Sequence, residues 1–327
     1  MNEAAIFAED IRKYYTVGVG FRKKAEVKAV DGISLVVREG ESHCIVGESG
    51  SGKTTVSKLV LGLEPPSSGT LKFFGEDLKE ILVDKDKLRN FRKSVQAVFQ
   101  DPYSSLNPRK TVKEILEKPF KVHHIEHTNS TIEALLQDVG MTPPQTFLDR
   151  YVHQISGGQR QKVCIARALA LKPKIVTLDE PTAALDVTIK AQILNLLIDL
   201  KSKYNLTYVI ISHELPLLKG IADKITVMYA GKVIEQGPAK NIFNRPHHPY
   251  TIGLLESIPP PDPKTAKEKP LPVMEGEPPS PVNPPTGCRF HTRCPFATDI
   301  CRKEEPKLSE VEKEHFTACF HLRNVIQ

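Results

Sequence analysis

Gly47-Glu48-Ser49-Gly50-Ser51-Gly52-Lys53-Thr54 fits G-x-x-x-x-G-K-[ST], a spacing that answers to triphosphate chemistry. Glycines let the backbone curl so that successive N–H groups face phosphate oxygens, and a helix opening at the loop's end adds its positive N-terminus. From there Lys53 reaches the β- and γ-phosphates, while the Thr54 hydroxyl, followed by Thr55, is a ligand for Mg2+. A bare glycine-rich turn would give the same letters. The buried-strand pattern Ser42–Val46 before the loop and the helical pattern Thr54–Leu63 after it favour the phosphate reading.

A second group of residues supplies the hydrolytic chemistry. Ile175-Val176-Thr177-Leu178 runs into Asp179-Glu180. Neighbouring residues at a strand end point to opposite sides and can do different work. Asp179 suits the outer shell of Mg2+, and Glu180 is placed to polarise an attacking water as general base. His213 follows the apolar strand Thr207–Ser212, where it either touches a γ-phosphate or serves structure alone. Gln100, after Val95-Gln96-Ala97-Val98-Phe99, carries an amide suited to Mg2+ and to the same water, though a glutamine there would be unremarkable by itself.

The elements that must position these groups alternate. Strand patterns cover Ala5–Ala8 and Val27–Val37, with Val17–Lys24 read as a loop between them. Helical patterns recur at Val112–Phe120, Thr131–Val139 and Ser156–Leu171. Then come strand Ile175–Leu178, helix Val187–Lys203, strand Thr207–Ser212, helix Leu215–Ala222 and strand Lys224–Tyr229. Such alternation implies a parallel α/β sheet with ligand sites at strand-to-helix turns. Near Pro246 the character changes: Pro259-Pro260-Pro261-Asp262-Pro263 and Pro278-Pro279-Ser280-Pro281 can continue neither a helix nor a central strand, and read as an extended strap.

Bulk properties narrow the class. Across 327 residues the charged fraction is 26%, the apolar fraction 40%, and the net charge +6 is dispersed, so a solvated surface is favoured over nucleic-acid binding. No apolar run approaches the ~20 residues needed to span a bilayer, and the N-terminus carries charges where a signal peptide needs an apolar stretch. A membrane role must therefore come through a partner. Cys44 and Cys164 lie in apolar segments and read as core residues. Cys288, Cys294, Cys301 and Cys319 crowd into the tail, where composition points to metal ahead of reduced thiols or disulfides.

Ile155-Ser156-Gly157-Gly158-Gln159, followed by Arg160-Gln161 and Ile165-Ala166-Arg167-Ala168-Leu169, resembles the signature of ABC ATPases. Physically, Ser156 and the two glycines open a helix whose free N–H groups form a second anion site. The resemblance spans roughly residues 4–240. It implies a P-loop NTPase fold of ABC type: a RecA-like parallel-sheet core, an N-terminal antiparallel β subdomain and a helical subdomain at about 101–170 within a 1–245 domain. It also implies that Ser156, Gly157, Gly158 and Gln159 act on ATP held by another subunit. Asp186, in Ala184-Leu185-Asp186, lies at the dimer contact, and Tyr15, with Tyr14 as the alternative, stacks on adenine. Departures are small: Ile155 for the usual Leu, Thr177 within the apolar strand, and Glu214 where Asp commonly follows the histidine. A soluble relative with no membrane partner is disfavoured, because the signature occurs once and no long coiled-coil insert fits between Gln100 and Ser156.

Two more stretches narrow the branch. Gln100-Asp101-Pro102-Tyr103-Ser104-Ser105-Leu106-Asn107-Pro108 is similar to a run in the oligopeptide/dipeptide permease ATP-binding subunits, where it receives a short helix of the membrane subunit. His248-Pro249-Tyr250-Thr251 and Pro281–Pro295 are similar to that group's C-terminal extension, here 246–327. The resemblance implies an ATP-hydrolysing importer subunit on the cytoplasmic face of the membrane, working with a second related ATPase (different chains being the group's habit), two transmembrane permease subunits and an extracytoplasmic solute-binding protein. Peptides lead as substrates, with oligosaccharides, glutathione or nickel chelates as alternatives. It further implies a 4Fe–4S cluster on Cys288, Cys294, Cys301 and Cys319, with zinc as runner-up and His291 and His321 as possible substitute ligands.

Overall fold

The structure is a computed structural model and describes residues 4–19, 23–183, 185–256 and 276–322. Strands β1 (Ala4–Val19) and β2 (Lys23–Arg38) pair antiparallel. The other edge of β1 takes β4 (Ser68–Phe73), which carries the short β5 (Glu76–Asp77). The larger sheet is built on five parallel strands: β9 (Lys224–Tyr229), β3 (Ser42–Val46), β8 (Thr207–Ser212), β7 (Ile175–Asp179) and β6 (Val95–Val98), in that order.

Near-continuous apolar runs form these central strands because both faces are covered. The two-residue period then divides their side chains between two cores. Cys44, Val46, Tyr208 and Ile210 face one cluster with the helical segments, among them Cys164 and Leu116. Ile45, Val209 and Ile211 face the other, with Val56, Leu59 and residues of β1, β2 and β4. Cys44 and Cys164 are thus core residues, both fully buried. The helices Val112–His123, Asn129–Asp138 and Gly157–Leu169 contribute to the first cluster, and the first and last open on capping boxes, Thr111 with Glu114 and Ser156 with Gln159.

Several local expectations shift. The segment Val17–Lys24 is largely strand, since β1 runs to Val19 and β2 begins at Lys23; Gly20–Arg22 lie outside the described residues. Leu215–Ala222 is not a helix. It forms a single 3-10 turn, Leu215–Leu218, with Gly220 at φ 103° beyond it, a conformation that stops helical propagation. The strap prolines Pro259–Pro263 fall outside the described residues, as does Ala184.

The tail is part of the sheet. β10 (Lys232–Pro238) runs antiparallel to β9, and β12 (His315–Thr317) and β11 (Ser309–Glu312) extend the same edge. The tail also corrects the sequence reading of its cysteines. Among the described residues, the group of His, Cys, Asp and Glu whose ligand atoms lie within 4.8 Å of one another is His247, Glu312 and His315, and contains no cysteine. All six cysteines are free thiols. Burial pushes the Cys288 thiol up to about 11 and raises Cys294 and Cys319 as well. Cys288 and Cys294 pack against the main core. The expected iron–sulfur or zinc site on Cys288, Cys294, Cys301 and Cys319 is therefore not supported. Its proposed substitute ligands are engaged otherwise: His291 Nδ1 lies 2.8 Å from the Cys288 carbonyl and His321 Nε2 2.8 Å from the Thr298 hydroxyl.

No described helix is long and apolar enough to cross a membrane.

Candidate nucleotide site

The loop after β3 is shaped by two glycines that tolerate no side chain. A Cβ on Gly47 would lie 2.2 Å from the Met228 carbonyl oxygen, and one on Gly52, at φ 103°, would lie 2.2 Å from that of Ala29. The loop therefore folds tightly against β9 and β2 before the helix Lys53–Val60 begins. Lys53 Nζ is buried and donates back to the carbonyls of Gly47 and Glu48, at 2.7 and 2.8 Å. Burial lowers its pKa, opposed by Glu180, Asp179 and Glu48. Thr54 is exposed at the same mouth.

Around this loop opens a cleft of about 750 Å³. Tyr15, Glu48, Ser49, Gly50, Gly52, Lys53, Thr54, Thr55, Gln100, Glu180 and His213 all line it, while Gly47 and Ser51 are buried within the loop. Tyr15 faces the cleft with its hydroxyl donating to Glu64 Oε2 at 2.6 Å. Tyr14 points elsewhere and donates to Asp31.

Asp179 ends β7 and Glu180 is the first residue beyond it. Glu180 sits at φ 46°, a conformation uncommon for a side chain of its size, held by its own N–H donating to the Ile211 carbonyl at 2.9 Å. Its carboxylate is gripped from two sides. Gln100 Nε2 donates to Oε2 at 2.9 Å, and His213 Nδ1 lies 2.8 Å from Oε1. Asp179 is half-buried behind it. Burial first, and the Glu180 charge second, raise its pKa, with Lys53 opposing. Of the three residues expected to hold Mg2+, Thr54 and Gln100 line the cleft, whereas Asp179 is not among its lining residues.

Ser156–Gln159 stand apart from this cleft. The Ser156 hydroxyl accepts from Gln159 N at 3.3 Å and Gln159 Oε1 accepts from Ser156 N at 3.0 Å, so the helix start is capped by its own side chains. Ser156 is exposed, and Gly158 packs so close to Ile189 that a Cβ there would come within 2.9 Å of it. Asp186 is exposed and caps the helix Val187–Tyr204 by accepting from Ile189 N at 2.9 Å.

Three further residues reach the site from the tail. Pro281 lines the cleft. Tyr250 accepts a 2.7 Å hydrogen bond from the Glu48 N–H, and Arg293 donates two bonds to the Glu48 carboxylate, at 2.7 and 3.2 Å. No local pattern marks these side chains as partners of residues some 200 positions earlier. The resemblance of their segments to a known extension was the signal available.

A triphosphate-sized cleft behind a glycine-built loop, with a lysine inside it and a held carboxylate at its mouth, defines a P-loop ATPase. Residues 30–183 match the family model for ABC transporter, and residues 234–301 that for oligopeptide/dipeptide transporter, C-terminal region. The chain is 44% identical over 323 residues to the oligopeptide transport ATP-binding protein AppF of Bacillus subtilis, covering 97% of each. It is 41% identical to the di/tripeptide transport ATP-binding protein DppF of Pseudomonas aeruginosa, covering 98% of each. Among solved structures it resembles cbiO1 of Clostridium perfringens, part of the ABC transporter complex cbiONQ (TM-score 0.64, 28% identity, 75% of this chain and 92% of that one). It also resembles a dimeric structure of the ABC transporter cassette MJ0796 (TM-score 0.62, 28% identity, 72% and 98%). The chain belongs to the ATP-binding subunits of the oligopeptide/dipeptide ABC transporter family. It is accordingly a transport ATPase that uses ATP and Mg2+.

Proposed function

We propose that this chain is the motor subunit of an importer for di- and oligopeptides. Glu180 would be the general base, Gln100 and His213 would hold it and the attacking water, and Lys53 would bind the terminal phosphates. The observation that carries the reading is the Glu180 carboxylate fixed between Gln100 and His213 in the cleft that Lys53 enters. A base held by two partners keeps its orientation while the water approaches. Mg2+, carried by Thr54, Gln100 and Asp179, would neutralise charge developing on the phosphates. Tyr15 would stack on the base of the nucleotide, a reading supported by its position lining the cleft while Tyr14 donates to Asp31.

The Ser156–Gln159 corner would close over ATP bound by a second, related ATPase subunit, with Asp186 at the contact. Support comes from the exposure of Ser156 and Asp186 and from the corner's position outside this chain's own cleft. The functional division would follow the chain: an ATPase domain at 1–245, with its helical part at about 101–170, and an extension at 246–327. A groove bordered by Ser104, Asn107, Ile115 and Val122 would receive a cytoplasmic helix of the two permease subunits, which in turn take solute from a binding protein. Reconstitution with those permease subunits in proteoliposomes tests the assignment. Peptide uptake should require ATP and fall to background with Lys53→Ala, and ATP hydrolysis that drives no peptide uptake would sink it. Glu180→Gln, mixed with the sibling ATPase and ATP, should form a stable pair by gel filtration. Persistent monomers would rule out the shared-site arrangement.

A further inference from the structure

The structure assigns a second ion site, remote in function from the nucleotide cleft: we propose that His247, His315 and Glu312 bind a divalent first-row transition-metal ion that clasps the tail hairpin to the ATPase body. The three ligand atoms lie within 4.8 Å of one another, and ligands at 2.0–2.2 Å from such an ion need an inward movement of only about 1 Å. The residues come from two places in the chain. His247 precedes the helix Pro249–Glu256, whereas Glu312 ends β11 and His315 opens β12, directly paired across that hairpin.

The donor chemistry fits. His315 is fully buried and His247 93% so. Yet His247 has no hydrogen-bond partner at either ring nitrogen, and His315 has none at Nδ1. Two buried imidazoles with unused nitrogens and rings 4.8 Å apart are costly as bare polar groups and well suited as ligands. His247 Nε2 is 3.9 Å from Glu312 Oε1.

A further residue sets the tautomer. Glu235 is fully buried and accepts from the backbone N–H groups of His247 and His248, at 2.7 and 3.0 Å. Its oxygens are therefore acceptors, and His315 Nε2, 2.8 Å away, must be the donor. That leaves Nδ1 of the neutral ring as a free lone pair. A carboxylate holding the far nitrogen of a ligand histidine is the usual support of such an ion. An ion here would also offset the buried negative charge of Glu235. Arg245, 3.1 Å from Glu312 and mostly exposed, is the competing cation and can swing into solvent.

The test is a titration of chelator-treated protein, without nucleotide, first with Co2+ and then with Zn2+. About one equivalent of Co2+ should bind and give visible d–d bands with no sulfur-to-cobalt charge-transfer band. Zn2+ should displace it and raise the melting temperature. Glu312→Gln, at the half-buried rim, and His247→Gln, whose ring has no hydrogen-bond partner to strand, should each weaken binding by at least about tenfold. Their unaltered circular dichroism would show that folding is intact. Absence of stoichiometric binding would overturn the site. So would binding that carries the sulfur band, or that both variants leave unchanged.

Discussion

The nucleotide cleft and the C-terminal extension are built on opposite plans. In the cleft, the groups proposed to act on ATP sit at the ends of parallel strands: Lys53 after β3, Gln100 after β6, Glu180 after β7 and His213 after β8. Each is placed by its own strand, and the sheet brings the strand ends together. In the extension, placement is done by side chains that reach across the sequence. Arg289 donates to Asp31 and to the Ala230 carbonyl, and Arg293 grips Glu48. Tyr229, Tyr250 and Phe290 stack edge to face beside them, with ring centroids 4.8 to 5.4 Å apart. The first region holds chemistry on a rigid frame. The second holds that frame to the phosphate loop.

If that contrast is right, removing a group from the cleft should cost rate and little stability, and the reverse should hold in the extension. Glu180→Gln is the largest expected effect. Turnover should fall by roughly 10²–10⁴ while ATP still binds, because the amide keeps the shape and loses the base. Steady-state ATPase assays beside a nucleotide-binding titration check both halves, and near-native turnover would undo the assignment of Glu180.

Arg289→Met probes the other side. Arg289 and Asp31 are both about nine-tenths buried, and breaking such a pair from one end typically costs about 3–5 kcal/mol. The lower end is expected here, since Tyr14 still donates to Asp31 and Lys232 remains 3.5 Å away. Urea denaturation should show the loss, and the added Asp31→Asn change should recover part of it. A variant as stable as the parent would mean the extension is not held by this contact.

The same contrast explains what could be read from residues alone. The phosphate loop, Asp179-Glu180 and the Ser156 corner stand out in the sequence because their patterns are local: a glycine that needs positive φ, a strand that ends in acids, a hydroxyl that caps a helix. Residue types alone leave Tyr15 and Tyr14 as alternatives, and their different surroundings, Tyr15 at the cleft and Tyr14 donating to Asp31, come from the pairing of the hairpin. The Glu48 contacts of Tyr250 and Arg293 have no local signature, because both partners are ordinary residues until the tail folds over the loop. Leu215–Ala222 misled because its apolar spacing is helical while Gly220 breaks the run. The four tail cysteines misled more fundamentally. Their crowding looks like a ligand set, but two of them pack against the core and, among the described residues, the group of close ligand atoms contains no cysteine.

A pH series separates the regions again. Burial, partly offset by Glu235, pushes the His248 imidazolium down to about 4 from an unfolded value of about 6.5. The unfolded chain then binds the extra proton first, so stability is full above about pH 6.5 and declines as pH falls toward about 4. Up to about 3 kcal/mol is lost across that window. His248 Nδ1 also accepts from the Tyr250 N–H at 3.1 Å, so His248→Asn is the suitable replacement. It should flatten the stability profile between pH 6.5 and 4 relative to the parent, and an unchanged slope would place the acid sensitivity elsewhere.

Arg293→Gln is the smallest of these effects and the one that joins the two regions. Its side chain is nearly buried while Glu48 keeps some solvent, so losing two charge-assisted bonds should cost about 1–3 kcal/mol of stability. Glu48 follows Gly47 in the phosphate loop, and the Tyr250 hydroxyl still holds its N–H. The loop should therefore loosen without collapsing, weakening ATP affinity by less than about tenfold and leaving the turnover of bound ATP nearly unchanged. Measured together, a shift in KM with constant kcat means that the extension braces the loop and takes no part in hydrolysis. A fall in kcat as large as that of Glu180→Gln would mean instead that the tail belongs to the catalytic machinery, and the division drawn between frame and chemistry would fail.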